Sequence, residues 1–158
     1  MIKEEKGAAY GRAIKLLSKQ DYSEFKIRTK LQALGLDEDQ IDLAINKIKK
    51  ENFLNDERFQ KNLIRKLIHK GYSPSFISKR LEQDGLFMKE KQILTIYEEE
   101  MITPKDQIKI LAEKKLTKSS IPLNSEVERQ KVIKKLLTFI LAKGHDFDET
   151  LSYLEDHF

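Results

Sequence analysis

The chain has 158 residues, 35% of them charged and 39% apolar, with six glycines, three prolines and only two valines, Val127 and Val132. That supply of turn formers and β-branched residues is too small for a β-sandwich or barrel, and the lack of cysteine excludes a disulfide framework, a thiolate metal site and a cysteine nucleophile. The formal net charge of +4 is the difference between 30 bases and 26 acids, so the placement of charge must carry any argument for a polyanionic partner.

Start and stop signals divide the chain into nine predicted helices. The first spans Ala8 to Lys19, with Ala9, Ala13, Leu16 and Leu17 on one face. Ser23 is an N-cap for the second, which carries Phe25, Ile27, Leu31 and Leu34 and stops at Gly35. Asp37, with Gln40 three residues on, opens the third through Ile41, Ala44, Ile45 and Ile48. Asn55-Asp56 caps the fourth, which runs through Phe59, Leu63, Ile64, Leu67 and Ile68 to Gly71, and Phe59 is expected to be buried. Ser73-Pro74 starts the fifth, with Phe76, Ile77 and Leu81, ending at Gly85. A sixth covers about Lys89 to Glu99, and Thr103-Pro104 starts the seventh. Ser119-Ser120-Ile121-Pro122 reads as the one long turn. The eighth runs from about Ser125 to Lys143 and stops at Gly144, and Asp146 caps a short ninth.

An offset of 50 residues lays Tyr22-Ser23 on Tyr72-Ser73, Ile27 on Ile77, Leu31 on Leu81 and Gly35-Leu36 on Gly85-Leu86. Lys143-Gly144 resembles Lys70-Gly71 and marks a third, less regular block. The expected fold is therefore all-α: three tandem three-helix repeats forming an elongated, curved helical array, with boundaries 1–55, 56–102 and 103–158. The longest apolar stretch, Leu136 to Ala142, is far too short to cross a bilayer, and the opening Met1 to Lys6 lacks the apolar core of a signal peptide. The expected compartment is the cytoplasm.

No enzyme signature emerges. The glycines are isolated, so neither GxGxxG nor GxxxxGK[ST] is present to cradle phosphates, and no catalytic residue or cofactor is assigned. His69, His145 and His157 lack metal-binding spacing; His145-Asp146-Phe147-Asp148 reads as an acidic helix start rather than a metal site. Glu98-Glu99-Glu100 reads as a solvated helix end.

The fourth helix carries more. At 100° per residue Arg58, Lys61, Arg65 and His69 fall in one acid-free stripe flanked by Lys66 and Lys70, opposite the apolar residues. Such a line can follow a phosphate backbone or an acidic protein groove, although the solvent face of a lysine-rich helix accounts for it equally. Lys79-Arg80 on the fifth helix and Lys131, Lys134 and Lys135 on the eighth extend the basic character; the last three lie opposite Ile133, Leu136, Leu137 and Ile140. A helix-turn-helix over Leu67 to Gly85 would point Ser75, Ser78, Lys79 and Glu82 at bases, but the same helix–Gly–helix punctuation recurs at Gly35 and Gly144.

Leu54-Asn55-Asp56-Glu57-Arg58-Phe59, Lys70-Gly71-Tyr72-Ser73, Ile77, Leu81 and Gly85-Leu86 together resemble the central signature of the RecX family. Ala13, Leu16-Leu17, Tyr22-Ser23-Glu24, Leu31 and Gly35 are similar to its first repeat, and Lys134-Lys135-Leu136 with Phe139 to Gly144 to its last. Gln60 and His145 depart from it, standing where the family generally has alanine and an aromatic. The resemblance implies three three-helix repeats and a non-enzymatic regulator of recombination, DNA repair and the SOS response. It implies RecA and the RecA–DNA filament groove as partners, with single- or double-stranded DNA bound weakly. Inhibition of RecA ATP hydrolysis and strand exchange, no membrane and a monomeric state are expected with it. The filament-binding residues it suggests are Arg58, Lys61, Arg65, Lys66, Lys70, Lys79, Arg80, Lys131, Lys134 and Lys135. The alternative is a sequence-non-specific DNA-binding helical module acting without RecA.

Overall fold

The computed structural model describes residues 2–117 and 125–158, and for residues 2–6 the backbone alone. Among the described residues there are nine helices and no strand: α1 (Ile2–Leu17), α2 (Glu24–Ala33), α3 (Glu38–Lys50), α4 (Asp56–His69), α5 (Pro74–Glu82), α6 (Glu90–Glu99), α7 (Pro104–Leu116), α8 (Glu126–Leu141) and α9 (Phe147–His157). The chain is all-α, as its composition and periodicity require. α1 begins at Ile2 rather than Ala8, because the Lys3-Glu4-Glu5-Lys6 run is made of good helix formers. The turn expected at Ser119-Ser120-Ile121-Pro122 lies outside the described residues.

The caps are local chemistry. Ser23, Asp37, Thr103, Ser125 and Asp146 each accept from the amide three residues on, and Asn55 does the same for Arg58. Thr103 and Asp106 complete a reciprocal capping box. The four glycines expected as stops all take positive φ, and α3 and α6 reach the same conformation without glycine, at Asn52 and Met101.

By contact the chain forms two compact units. The first runs to Leu63 and includes Leu81–Phe87; the second comprises Ile64–Arg80 and Met88–Phe158. In the first, α1, α2 and α3 pack together around Ala13, Ile27, Leu31, Ile41, Ile45 and Ile48. In the second, α7, α8 and α9 pack around Ile108, Leu111, Val132, Ile133, Leu136, Ile140 and Leu154. Each fully buried isoleucine or leucine contributes about 1.5–3 kcal/mol, so a handful per bundle outweighs the weak intrinsic preference of these short helices.

A serine joins segments far apart in sequence, twice over. Ser23 Oγ accepts from the Lys26 amide and donates to the Asp84 carbonyl at 2.7 Å, tying the start of α2 to the end of α5. Ser73 Oγ accepts from the Phe76 amide and donates to the Gly144 carbonyl at 2.7 Å, tying the start of α5 to the end of α8. The Ser73 amide adds a bond to the Lys143 carbonyl. At both joints a helix-ending glycine lies directly against a phenylalanine, Gly85 on Phe25 and Gly144 on Phe76.

Three apolar residues of the predicted helices lie outside the core, among them Phe59, whose burial the sequence predicts. Phe25 and Leu34 are about half exposed while Ile27 and Leu31 are buried, because Phe25 projects some 200° round the helix from Ile27 and Leu34 has passed the last turn. Phe59 is only partly buried, since it stands roughly 130° round from the mean direction of the buried Ile64, Leu67 and Ile68.

Candidate functional site

The side chains of Arg58, Lys61, Arg65, Lys66 and His69 on α4, and of Lys70 just past its end, are exposed, and the core side is filled by Ile64, Leu67 and Ile68. The stripe expected from helical periodicity is therefore at the surface, but it is not free of acids. Lys61 Nζ lies 3.3 Å from Glu57, one turn earlier. Arg65 reaches the end of α6, with Nη2 3.2 Å from Glu99 and Nε 3.0 Å from Glu100. His69 Nε2 lies 2.7 Å from the other Glu100 oxygen. The Glu98-Glu99-Glu100 run is thus no mere solvated end: two of its carboxylates offset the charge of Arg65, and Glu100, which also meets His69, is largely covered. Exposed pairs of this kind contribute ~0–1 kcal/mol to folding, so their main effect is on the local field.

Lys79 is exposed and Arg80 partly buried on α5, and Lys131, Lys134 and Lys135 are exposed on α8 opposite the buried Val132, Ile133, Leu136 and Ile140. Lys131 and Lys134 share a shallow face with Val127, which is itself 64% exposed. Arg58 and Lys61 belong to the first compact unit; Arg65, Lys66, Lys70, Lys79, Arg80 and the three lysines of α8 belong to the second. The base-reading alternative for α5 loses its two hydroxyl donors, while Lys79 stays exposed. The Ser75 hydroxyl lies on the Ser73 hydroxyl and the Gly144 carbonyl, and Ser78 donates to the Met88 carbonyl at 3.0 Å.

A helix end leaves carbonyls without partners, and those at the end of α4 are met by side chains from three other segments. Gln107 Nε2 donates to the Ile68 carbonyl at 2.8 Å. The Tyr97 hydroxyl donates to the Tyr72 carbonyl, with Gln107 Oε1 a second acceptor at 3.1 Å. His145 Nε2 donates to the Gly71 carbonyl at 2.8 Å, which places the proton on Nε2 because a carbonyl can only accept. Burial pushes the Tyr97 phenol well above its ordinary range and holds the His145 imidazole below its ordinary 6.5. His145 is therefore a neutral structural donor. Among the described residues no group of histidine and carboxylate side chains is placed to hold a metal ion, and no helix is long and apolar enough to cross a membrane.

The sequence holds no signal for the Arg65–Glu99–Glu100 cluster, whose members lie more than thirty residues apart, nor for the Tyr97–Gln107 junction. Tyr72 is the exception: its recurrence with Ser73 at the 50-residue offset marked a position that packs. Its ring stacks on Phe76 at 4.3 Å and carries the Lys143 ammonium at 4.0 Å.

Residues 9–47 match a family model described as RecX, first three-helix domain. A regulatory protein RecX of Haemophilus ducreyi is 33% identical over 143 residues, covering 90% of this chain and 87% of the relative. Its counterpart in Haemophilus influenzae is 29% identical over 142 residues, 89% of each chain. The crystal structure of RecX from Lactobacillus salivarius superposes with a TM-score of 0.67 at 21% identity, covering 98% of this chain and 96% of the other, which establishes the same fold.

Proposed function

The chain belongs to the RecX family of regulatory proteins, and on that premise we propose that it acts on RecA without catalysis of its own. It binds in the groove of the RecA–DNA filament and inhibits ATP hydrolysis and strand exchange, so tuning recombination, repair and the SOS response in the cytoplasm. The observation that carries this reading is kinship along nine-tenths of the chain to proteins named regulatory protein RecX.

Three three-helix repeats, 1–55, 56–102 and 103–158, supply the binding surface of a monomer in this reading. Arg58, Lys61, Arg65, Lys66, Lys70, Lys79, Arg80, Lys131, Lys134 and Lys135 meet phosphates and acidic side chains of the filament. Several weak charge contacts made at once give useful affinity, because each after the first forms at high effective concentration. The exposure of most of these cations, and their position opposite buried helix faces, supports that role. Bare DNA, lacking the protein part of the groove, is held weakly.

The test is DNA-dependent ATP hydrolysis by RecA of the same organism, titrated with this protein; the rate should fall to a plateau. Unchanged hydrolysis together with steeply salt-dependent binding to bare DNA would favour the DNA-binding module instead.

A further inference from the structure

Within the second compact unit, a cavity of about 470 Å³ opens beside the end of α4, walled by Ile68, Ile102, Ile110, Leu111 and Phe139. That volume suits a small ligand or one or two large side chains of a partner. Lys70, Lys114 and Lys143 supply its basic lining, His69 there is engaged by Glu100, and none of the lining residues is itself acidic. Lys70 and Lys114 are exposed and form no ion pair among the described residues, while Lys143 is steadied by the Tyr72 ring. Ile110 is 49% exposed, so part of the apolar wall meets water when the cavity is empty. Gln107, the polar side chain in the lining, has its amide engaged by Ile68 and Tyr97.

We propose that this cavity is a docking site for a short acidic peptide segment of a partner protein. The segment inserts a leucine or phenylalanine between Ile110 and Phe139 and lays flanking carboxylates on Lys70, Lys114 and Lys143. Charge selects the partner: three lysines, with Glu100 held to one side on His69, complement carboxylates on both sides of an apolar anchor. The walls select peptide over nucleic acid. Bases stack on aromatic platforms and carry polar edges, whereas four of the five apolar wall residues are aliphatic and the lining amide is already occupied. The site shares Lys70 with the filament reading but does not depend on it.

The experiment uses the full chain and an end-blocked, fluorescein-labelled peptide, Asp-Glu-Leu-Phe-Asp-Glu, in anisotropy titrations at physiological ionic strength. Saturable binding is expected, with Kd on the order of 100 μM. Replacing Leu-Phe by Ser-Ser, or the acids by lysines, should weaken it at least about tenfold. Ile110→Asp and the double variant Lys70→Glu/Lys114→Glu change exposed positions and should each cost about tenfold with melting curves little changed. Methyl resonances of Ile102, Ile110 and Leu111 in the unmodified protein should shift on peptide addition, a readout that needs no variant. No saturable binding, unmoved methyls, or binding indifferent to Ile110→Asp overturns the proposal. So does displacement of the peptide by a thymidine dodecamer whose own binding is lost in Ile110→Asp, since the cavity would then be a nucleic-acid site.

Discussion

Gly85→Ala and Gly35→Ala form a matched pair that separates backbone strain from close packing. Both glycines end a helix in the first compact unit with similar left-handed φ, +69° and +78°. An alanine Cβ at Gly35 meets nothing within 4 Å; at Gly85 it lies 2.6 Å from both Cβ and Cγ of Phe25. The left-handed conformation costs a non-glycine residue about 1–2 kcal/mol, partly offset by the loss of glycine's freedom in the unfolded chain, so Gly35→Ala should cost ~1 kcal/mol. Gly85→Ala carries the same term plus an overlap with the stem of Phe25, which sits on a helix and cannot rotate away. Overpacking of this kind costs about 1–3 kcal/mol, for a total of ~2–4 kcal/mol. Urea unfolding followed by far-UV circular dichroism should show the difference as a lower midpoint at constant slope. Truncating the partner should give little relief, because Phe25→Ala removes the ring and leaves Cβ where it was. Equal losses for the two glycine variants, within about 0.5 kcal/mol, would refute the idea that Gly85 is required by the approach of α2.

Because Phe59 is only partly buried, Phe59→Ala should cost about 1–3 kcal/mol in the same assay rather than the 3–5 typical of a core phenylalanine. His145 is held neutral by burial, so on acidification the unfolded chain takes up this proton first. Its contribution to stability is complete above its ordinary 6.5 and is lost as the pH falls toward the depressed folded value. Melting temperatures at pH 5 and 7.5 should differ less in His145→Gln than in the parent. Lys61→Gln/Arg65→Gln should shift stability by less than about 1 kcal/mol, yet reduce the salt slope of filament binding by about two units if both cations reach phosphate. Glutamine is preferred to glutamate here, since a new acid would meet Glu57, Glu99 and Glu100. Glu99→Gln/Glu100→Gln releases Arg65 and should tighten filament binding several-fold at low salt, with the gain vanishing at high salt; an unchanged affinity would remove Arg65 from the binding surface.

Features set by neighbours in sequence were readable before any coordinates: the caps at Ser23, Asp37 and Thr103, the glycine stops, and the α8 face with its three lysines outward. Periodicity also brought Arg58, Lys61 and Arg65 to the surface of α4. It could not reveal which acids would face them, because Glu99 and Glu100 are brought to α4 by packing rather than by spacing. Phe25 and Phe59 show the converse limit. Hydrophobicity marks them for burial, but rotation about the helix axis decides, and both project well away from the buried direction. Likewise no spacing in the sequence links Lys114 and Lys143 to Lys70; packing brings the three into one cavity lining.

The serine joints give the chain a modular grammar. Each joint has two halves, a serine ahead of one helix and a glycine-ended turn three helices later, and α5 carries a half of each kind: Ser73 before it and Asp84-Gly85 after it. A duplicated segment containing α5 therefore brings its own socket and its own plug. Such a segment can be copied in line with itself without inventing new contact chemistry, because the next serine finds a helix-end carbonyl waiting. The two matching joints, whose serines stand fifty residues apart, are the contact a chain of such units needs at every repeat.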